Sequence, residues 1–160
     1  MNGRANGRVK CGWLLGFGWI FWLMAAADTT YAFDLITYEE TTLPTRPFDE
    51  GEIGSDFILL GPSIEIPYGP RKGVNTSSPF KLEIHFIPGD SADINLDSIK
   101  IYYWSYPRVD LTSRLKPFLK GNVISIAEAR APRGRHEIMI QVKDSKKYVT
   151  NKVYEFDVHK

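Results

Sequence analysis

Apolar and polar residues alternate with a period of two along most of the chain beyond residue 62. Phe80, Leu82, Ile84 and Phe86 fall on one face of a run, with Lys81, Glu83 and His85 on the other. Ser98–Trp104 brings Ile99, Ile101 and Tyr103 together, and Asn122–Ile126 is a shorter run. His136–Lys143 aligns Ile138, Ile140 and Val142 against Glu137, Gln141 and Lys143, and Tyr154, Phe156 and Val158 align in a last strand. Ser63–Ile66 reads as an opening strand fenced by Pro62 and Pro67, which suits a sheet edge. Alternation of this kind predicts antiparallel sheets with one wet face each. Turn residues separate the runs at Pro88-Gly89-Asp90, Lys120-Gly121-Asn122, Pro132–Gly134 and Asp144–Lys147. Only Asp110–Leu119 predicts a helical turn or two, with Asp110 or Thr112 as N-cap and Pro117 as its limit. Six or seven short strands in about 100 residues predict an all-β fold, an immunoglobulin-like antiparallel β-sandwich.

The pattern breaks down toward the N-terminus. Arg4, Arg8 and Lys10 precede an apolar stretch, Gly12–Ala27 (GWLLGFGWIFWLMAAA). It is shorter than the roughly 20 residues that span a bilayer and matches the apolar core of a signal peptide. Cleavage is expected after Ala32, with Ala27 as the alternative. Retention as a membrane anchor is the rival reading, because Trp13, Trp19 and Trp22 make the core bulky. Cys11 precedes that core and is expected to leave with it. Residues 33–56 then carry seven acidic residues against Arg46 alone, together with Pro44, Pro47, Gly51 and Gly54. They read as an extended, poorly packed acidic leader, although Phe33, Leu35, Ile36 and Tyr38 could add a strand to something. The expected organisation is therefore a signal peptide (1–32), a leader (33–56) and a sandwich domain (57–160).

Composition changes this picture in two ways. The chain has 20 Lys+Arg against 19 Asp+Glu, which excludes a strongly basic nucleic-acid binder and a strongly acidic disordered chain. Its single Cys excludes a disulfide framework and a Cys-rich zinc site. Residues 57–160, taken alone, carry 16 basic against 11 acidic residues, so a modestly basic domain follows an acidic arm.

The C-terminal half carries a resemblance. Ala131-Pro-Arg-Gly-Arg-His136, the alternating Glu137–Val142, Asp144-Ser-Lys-Lys147 and the closing Val153–Val158 resemble the end of bacterial extracytoplasmic Ig-like domains (Big/fibronectin-III-like). Those domains read Leu-Pro-x-Gly-x-Tyr, an alternating strand, an Asp-x-x-Gly turn and a strand ending in Val. The Ile94–Ile101 run followed by Asp110-Leu-Thr112 is similar to the middle of such a module, so the resemblance spans roughly residues 62–158. It implies a sandwich and no catalytic residue. His136 stands in the place of the corner Tyr, which implies an imidazole bonded to nearby backbone. Lys147 stands in the place of the hairpin Gly and implies a longer or different turn.

Tyr102, Trp104 and Tyr106 form the first candidate site. Alternation puts Tyr102 and Trp104 on the outer face, where flat aromatics suit sugar stacking or protein contact. The competing reading packs Trp104 at the sandwich edge or beneath the 105–119 connection. Arg130, Arg133 and Arg135 form the second candidate, a patch for a polyanion, diluted by Glu128, Glu137 and Asp144. Asp90, Asp93, Asn95 and Asp97 are oxygen-rich enough for calcium, but Ser98 and Trp104 occupy the positions where an EF-hand loop needs Gly and Glu. A hydrogen-bonded turn is the default there, and no metal or cofactor is expected.

His85, His136 and His159 lack metal-ligand spacing, and no nucleophile-elbow, zincin or P-loop motif occurs. The expected function is an exported, non-catalytic binding or structural module acting by protein contact in the cell envelope. A carbohydrate-binding module and a small hydrolase are the alternatives. An unknown envelope protein is the expected partner and a polysaccharide the other; nucleic acid is not expected, and membrane contact only through an uncleaved signal segment. Secretion or a periplasmic location follows from the N-terminal segment.

Overall fold

A computed structural model describes residues 32–45, 61–90 and 92–159. The segment read as a signal peptide, apart from Ala32, and residues 46–56 of the leader lie outside the described residues. The strands are β1 (Phe33–Asp34), β2 (Ser63–Tyr68), β3 (Phe80–Ile87), β4 (Ile94–Tyr103) and β5 (Val109–Asp110), then β6 (Leu119–Lys120), β7 (Val123–Arg130), β8 (Gly134–Asp144) and β9 (Val149–Val158). Two one-turn helices, α1 (Tyr38–Thr41) and α2 (Thr112–Leu115), and a 3-10 turn at Lys116–Phe118 complete the described elements.

The strands form two mainly antiparallel sheets. One runs β1-β7-β3-β2, with β6 also paired to β7; the other runs β5-β4-β8-β9. Both contribute to a single apolar core, and Phe80 of β3 meets Phe156 of β9 edge-on across it, with ring centroids 5.9 Å apart. The chain is therefore an all-β sandwich. Among the six long described strands counted from β2, the first, second and fourth (β2, β3, β7) face the third, fifth and sixth (β4, β8, β9), the order of an immunoglobulin-type Greek key without its fourth strand.

The predicted faces are the buried ones. Phe80, Leu82, Ile84 and Phe86 are all buried, as are Ile99, Ile101 and Tyr103, and Ile138, Ile140 and Val142. Phe156 and Val158 are buried in β9, with Tyr154 half-buried beside them. β2 lies at a sheet edge, as its prolines predict, but runs through Pro67 to Tyr68 instead of stopping at Ile66. The predicted helical segment forms, but its cap differs. Leu111 is the N-cap and offers no side-chain bond; Asp110 accepts from the Thr112 amide instead, at 2.8 Å. Pro117 falls inside the 3-10 turn rather than ending the helix before it.

The largest departure is at the N-terminal side. Residues 33–45, expected as a poorly packed leader, form part of the sandwich. Phe33 and Asp34 pair in parallel with Ala129 and Arg130 of β7, along the edge that β6 occupies at Val123 and Ile124. Leu35 and Ile36, 1% and 2% exposed, enter the core. Farther on, Thr45 bridges Ser105, and the Tyr106 amide donates to the Pro44 carbonyl at 2.9 Å. The segment thus crosses from the edge of one sheet to the end of β4 in the other. It is a strap. A low density of apolar residues hid it, because two buried side chains are enough to anchor so short a crossing.

The hairpin between β8 and β9 keeps a tight turn despite Lys147. That residue adopts φ 71°, the left-handed region, and its amide donates to the Asp144 carbonyl at 3.1 Å. Asp144 also accepts from the Tyr148 amide at 2.8 Å, so the carboxylate holds the turn that a glycine would otherwise relax.

Two substitutions test these assignments by denaturant unfolding. Leu35→Ala is expected to cost about 2–5 kcal/mol, the usual range for emptying a core leucine site; a value near zero would return the strap to a leader. Lys147→Gly is expected to add about 0.5–1 kcal/mol by removing left-handed strain, net of glycine's extra chain entropy.

Candidate functional site

The strap owes its shape to local chemistry. Thr37-Tyr-Glu-Glu40 is a capping box. The Glu40 amide donates to the Thr37 hydroxyl at 3.4 Å, and the Thr37 amide donates to the Glu40 carboxylate at 2.8 Å. The same carboxylate receives both terminal nitrogens of Arg114 from α2, one at 3.1 Å. Arg114 also donates to the Leu35 carbonyl at 3.5 Å. Burial pushes the Glu40 carboxyl up, but the Arg114 guanidinium and the Thr37 bonds outweigh it and hold the group below its ordinary value. The carboxylate therefore links the strap's helical turn to the connection after β5.

Beside this strap lies an open groove of about 290 Å3, lined by Asp34, Ile36, Thr37, Tyr38, Ser78, Arg130, Ala131 and Pro132. A smaller pocket of about 90 Å3 is lined by Thr45, Tyr103, Trp104, Arg135 and Glu137. A void of about 50 Å3 between the sheets, walled by Ile99, Ile101, Leu115, Leu119 and Ile124 among others, is below the size of a ligand site.

The first predicted site does not assemble. Tyr102 is half-buried, Trp104 is 2% exposed and Tyr106 is 70% exposed, so the three share no open face. β4 ends at Tyr103, and extrapolating its alternation to Trp104 fails because the backbone turns there. The Trp104 amide donates to the Glu137 carbonyl at 2.8 Å, and the Ser105 amide folds back to the Tyr103 carbonyl. The Arg108 guanidinium sits 4.7 Å from the Trp104 ring and covers it, so the indole packs beneath the 105–119 connection and is closed to sugar stacking. Tyr106 alone keeps an exposed ring.

The second site divides. Arg130 enters the 290 Å3 groove, and Arg133 is exposed at the Pro132–Gly134 turn. Arg135 is held by Glu155 at 2.6 Å and faces Glu137 at 3.8 Å, which neutralises the charge a polyanion would use. The structure instead brings Arg135 and Trp104, taken from the two different candidates, into the 90 Å3 pocket. The oxygen-rich stretch is not the turn expected: Asn95 and Asp97 lie within β4, where its register with β8 shifts between Asn95 and Lys100. The Ser98 hydroxyl donates to the Asn95 carbonyl at 2.6 Å, the Ser145 amide donates to the Asp93 carbonyl at 2.8 Å, and Asp97 points out toward Lys116. No cluster of metal-ligating side chains occurs among the described residues.

His136 occupies the corner position and is 2% exposed. Its Nε2 lies 2.8 Å from the Pro132 carbonyl, and its Nδ1 lies 3.3 Å from the Tyr103 hydroxyl. The Pro132 carbonyl can only accept, so Nε2 carries the proton and Nδ1 accepts from the phenol. The imidazole is thereby bonded to nearby backbone, as expected. Burial holds it below its ordinary value, against the Pro132 bond and the more distant Asp157, which favour the charged form.

The groove was missed because Asp34, Tyr38, Ser78 and Arg130 are far apart in sequence. One signal was available: Thr37-x-x-Glu40 is a capping-box spacing and announces an ordered turn where a leader was expected. A scan of protein-family models finds no match to this chain, and a search of curated proteins finds no relative.

Stability should fall with acid in two stages. The unfolded imidazole takes up a proton below about 6.5 that folded His136 resists, so stability is full above that pH and declines below it. Glu40 adds a second loss as pH falls from its unfolded value near 4.5 through its lower folded value. Thermal melts from pH 8 to pH 3 check both stages. Glu40→Gln should shrink the second stage, leaving what the exposed, paired Glu83 and Glu155 add, and leave the first; an unchanged profile would deny the Arg114 link its role.

Proposed function

We propose that this chain is an exported, non-catalytic immunoglobulin-like module that works by protein contact in the cell envelope. The observation that carries the reading is the employment of its perturbed ionisable groups. Glu40 ties the strap to α2, His136 fastens the corner before β8, and Tyr154, pushed up by burial, donates from its hydroxyl to the Pro70 carbonyl. Perturbed groups of this kind mark catalytic sites when they converge on a cleft. Here each bonds a different pair of segments, and none of the three lines the 290 Å3 groove. Tyr103 and Arg135, shifted as well, line the 90 Å3 pocket but are bonded to His136 and Glu155.

The immunoglobulin-type strand order and the residue pattern of the 131–158 region support a module of the bacterial extracytoplasmic Ig-like kind. The basic and apolar N-terminal segment supports export, and the start of β1 at Phe33 favours cleavage after Ala32. Cleavage there leaves the whole strap on the mature chain. For the contact itself, Tyr106 offers an exposed ring held against the strap by its amide bond to Pro44. Exposed tyrosines of this kind anchor protein interfaces, since they bring large area at little entropic cost.

Two measurements test the reading. N-terminal sequencing of the chain recovered from the envelope fraction of its producing cells should begin at Phe33; a start at Met1 would defeat cleavage in favour of a retained anchor, and recovery from the cytosol alone would defeat export. Crosslinking in that fraction should yield a defined protein adduct that Tyr106→Ala reduces by about tenfold or more, the loss typical of an interface anchor. Adduct yield independent of Tyr106 would move the contact elsewhere.

A further inference from the structure

The groove beside the strap has a lining that the protein-contact reading does not use. Ile36, Ala131 and Pro132 supply its apolar part. Tyr38, 76% exposed, stands at its side with its ring open to solvent. Asp34 and Arg130 are register partners between β1 and β7, so their side chains leave the same face of the sheet, a carboxylate and a guanidinium on adjacent strands that both line the groove. Thr37 and Ser78 add hydroxyls whose oxygens already accept backbone amides, from Glu40 at 3.4 Å and from Ala131 at 3.3 Å. Each hydroxyl proton can therefore be donated into the groove.

The geometry points to a glycan-binding site, a groove that holds one neutral sugar ring against Tyr38 with its hydroxyls bridged by Asp34 and Arg130. Three considerations select this class. The volume, about 290 Å3, is at the small end for ligand sites, enough for one ring rather than a polymer segment. The amides of Leu35, Ile36, Thr37 and Ala131 are all engaged within the fold, so an extended peptide finds few main-chain partners here. An anion meets Asp34 as soon as it meets Arg130, which removes the advantage of the guanidinium. A neutral polyol uses both, since each sugar hydroxyl donates to a carboxylate and accepts from a guanidinium. The apolar C–H face of the ring then has an aromatic to lie on.

This site is separate from the buried Trp104 and does not depend on any protein partner. Amide NMR spectra of the purified full-length chain, titrated with glucose, galactose, mannose and N-acetylglucosamine as probes up to about 50 mM, test it. At least one sugar should shift the amides of residues 34–38, 78 and 130–132 and leave the rest of the spectrum in place. Tyr38→Ala should weaken that binding by about tenfold or more, and Tyr38 is exposed enough that the substitution leaves the fold intact. Arg130→Gln should weaken it as well. The proposal is overturned if none of the four sugars shifts these amides, or if the shifts survive Tyr38→Ala. It is equally overturned if trialanine or inorganic phosphate moves the groove amides while the sugars do not.

Discussion

Two sheets that each bury one face still leave lateral gaps between them, and water in those gaps would reach the core. In this chain the gap beside β7 is closed by the crossing of residues 33–45, and much of the structure around it depends on that crossing. Leu35 and Ile36 fill the opening, β1 completes the edge of β7 that two-residue β6 leaves uncovered, and Phe33 packs on Phe118 at 4.7 Å. The Glu40–Arg114 pair then fixes where the strap lies. A bidentate pair of this kind is directional, so it determines position as well as attraction. Removing one partner would leave the other charge half-buried, a larger loss than the pair's own net contribution.

The opposite side of the sandwich is closed by another means. There β9 has no long strand beyond it, and side chains reach from it to the backbone of β2 and its neighbours. Thr150 donates to the Pro62 carbonyl at 2.6 Å, Lys152 to the Ile64 carbonyl at 2.8 Å, and Tyr154 to the Pro70 carbonyl. The Gly73 amide returns a bond to Asp157 at 2.7 Å. The main-chain edge of β9 is itself engaged at its end, where Thr76 bridges Val158 and the Thr76 carbonyl accepts from the His159 amide at 2.9 Å. One gap is thus filled by apolar side chains that an ion pair holds in place, and the other is bridged by polar side chains satisfied on backbone.

The long strands were legible in the sequence because their signal is local: Phe80 to Phe86 declares its face without reference to any other element. The strap was not, since its anchors are Leu35 and Ile36, adjacent residues that both point inward where the backbone turns, and no period describes them. Its acidic residues looked like a solvated run because the base that matches Glu40 is Arg114, far along the chain. Trp104 failed for a related reason, as alternation holds only while the ladder holds and β4 ends one residue earlier. His136 succeeded because its partner carbonyl, Pro132, is four residues away and within reach of local reasoning. Sites assembled from distant residues, like the groove, were beyond it.

The strap's two roles are coupled by construction. Leu35 faces the core, Ile36 borders both core and groove, and Asp34, Thr37 and Tyr38 line the groove, so the groove has half its lining only when the strap is docked. A ligand held there binds the docked state alone and stabilises it by RT ln(1 + [L]/Kd), about 1.4 kcal/mol at ten times its dissociation constant. The docking contacts are local: two residues of parallel pairing, the Thr45–Ser105 bridge and the Tyr106–Pro44 hydrogen bond, Phe33 on Phe118, two buried aliphatic side chains and the Arg114 bonds to Glu40 and Leu35. Segments held by such local contacts open at lower free energy than the strands behind them. Occupancy of the groove would therefore be felt first as tighter closure of the gap beside β7. Chemistry at the surface and integrity of the core meet in the same short stretch of chain, directly after the segment that reads as its export signal.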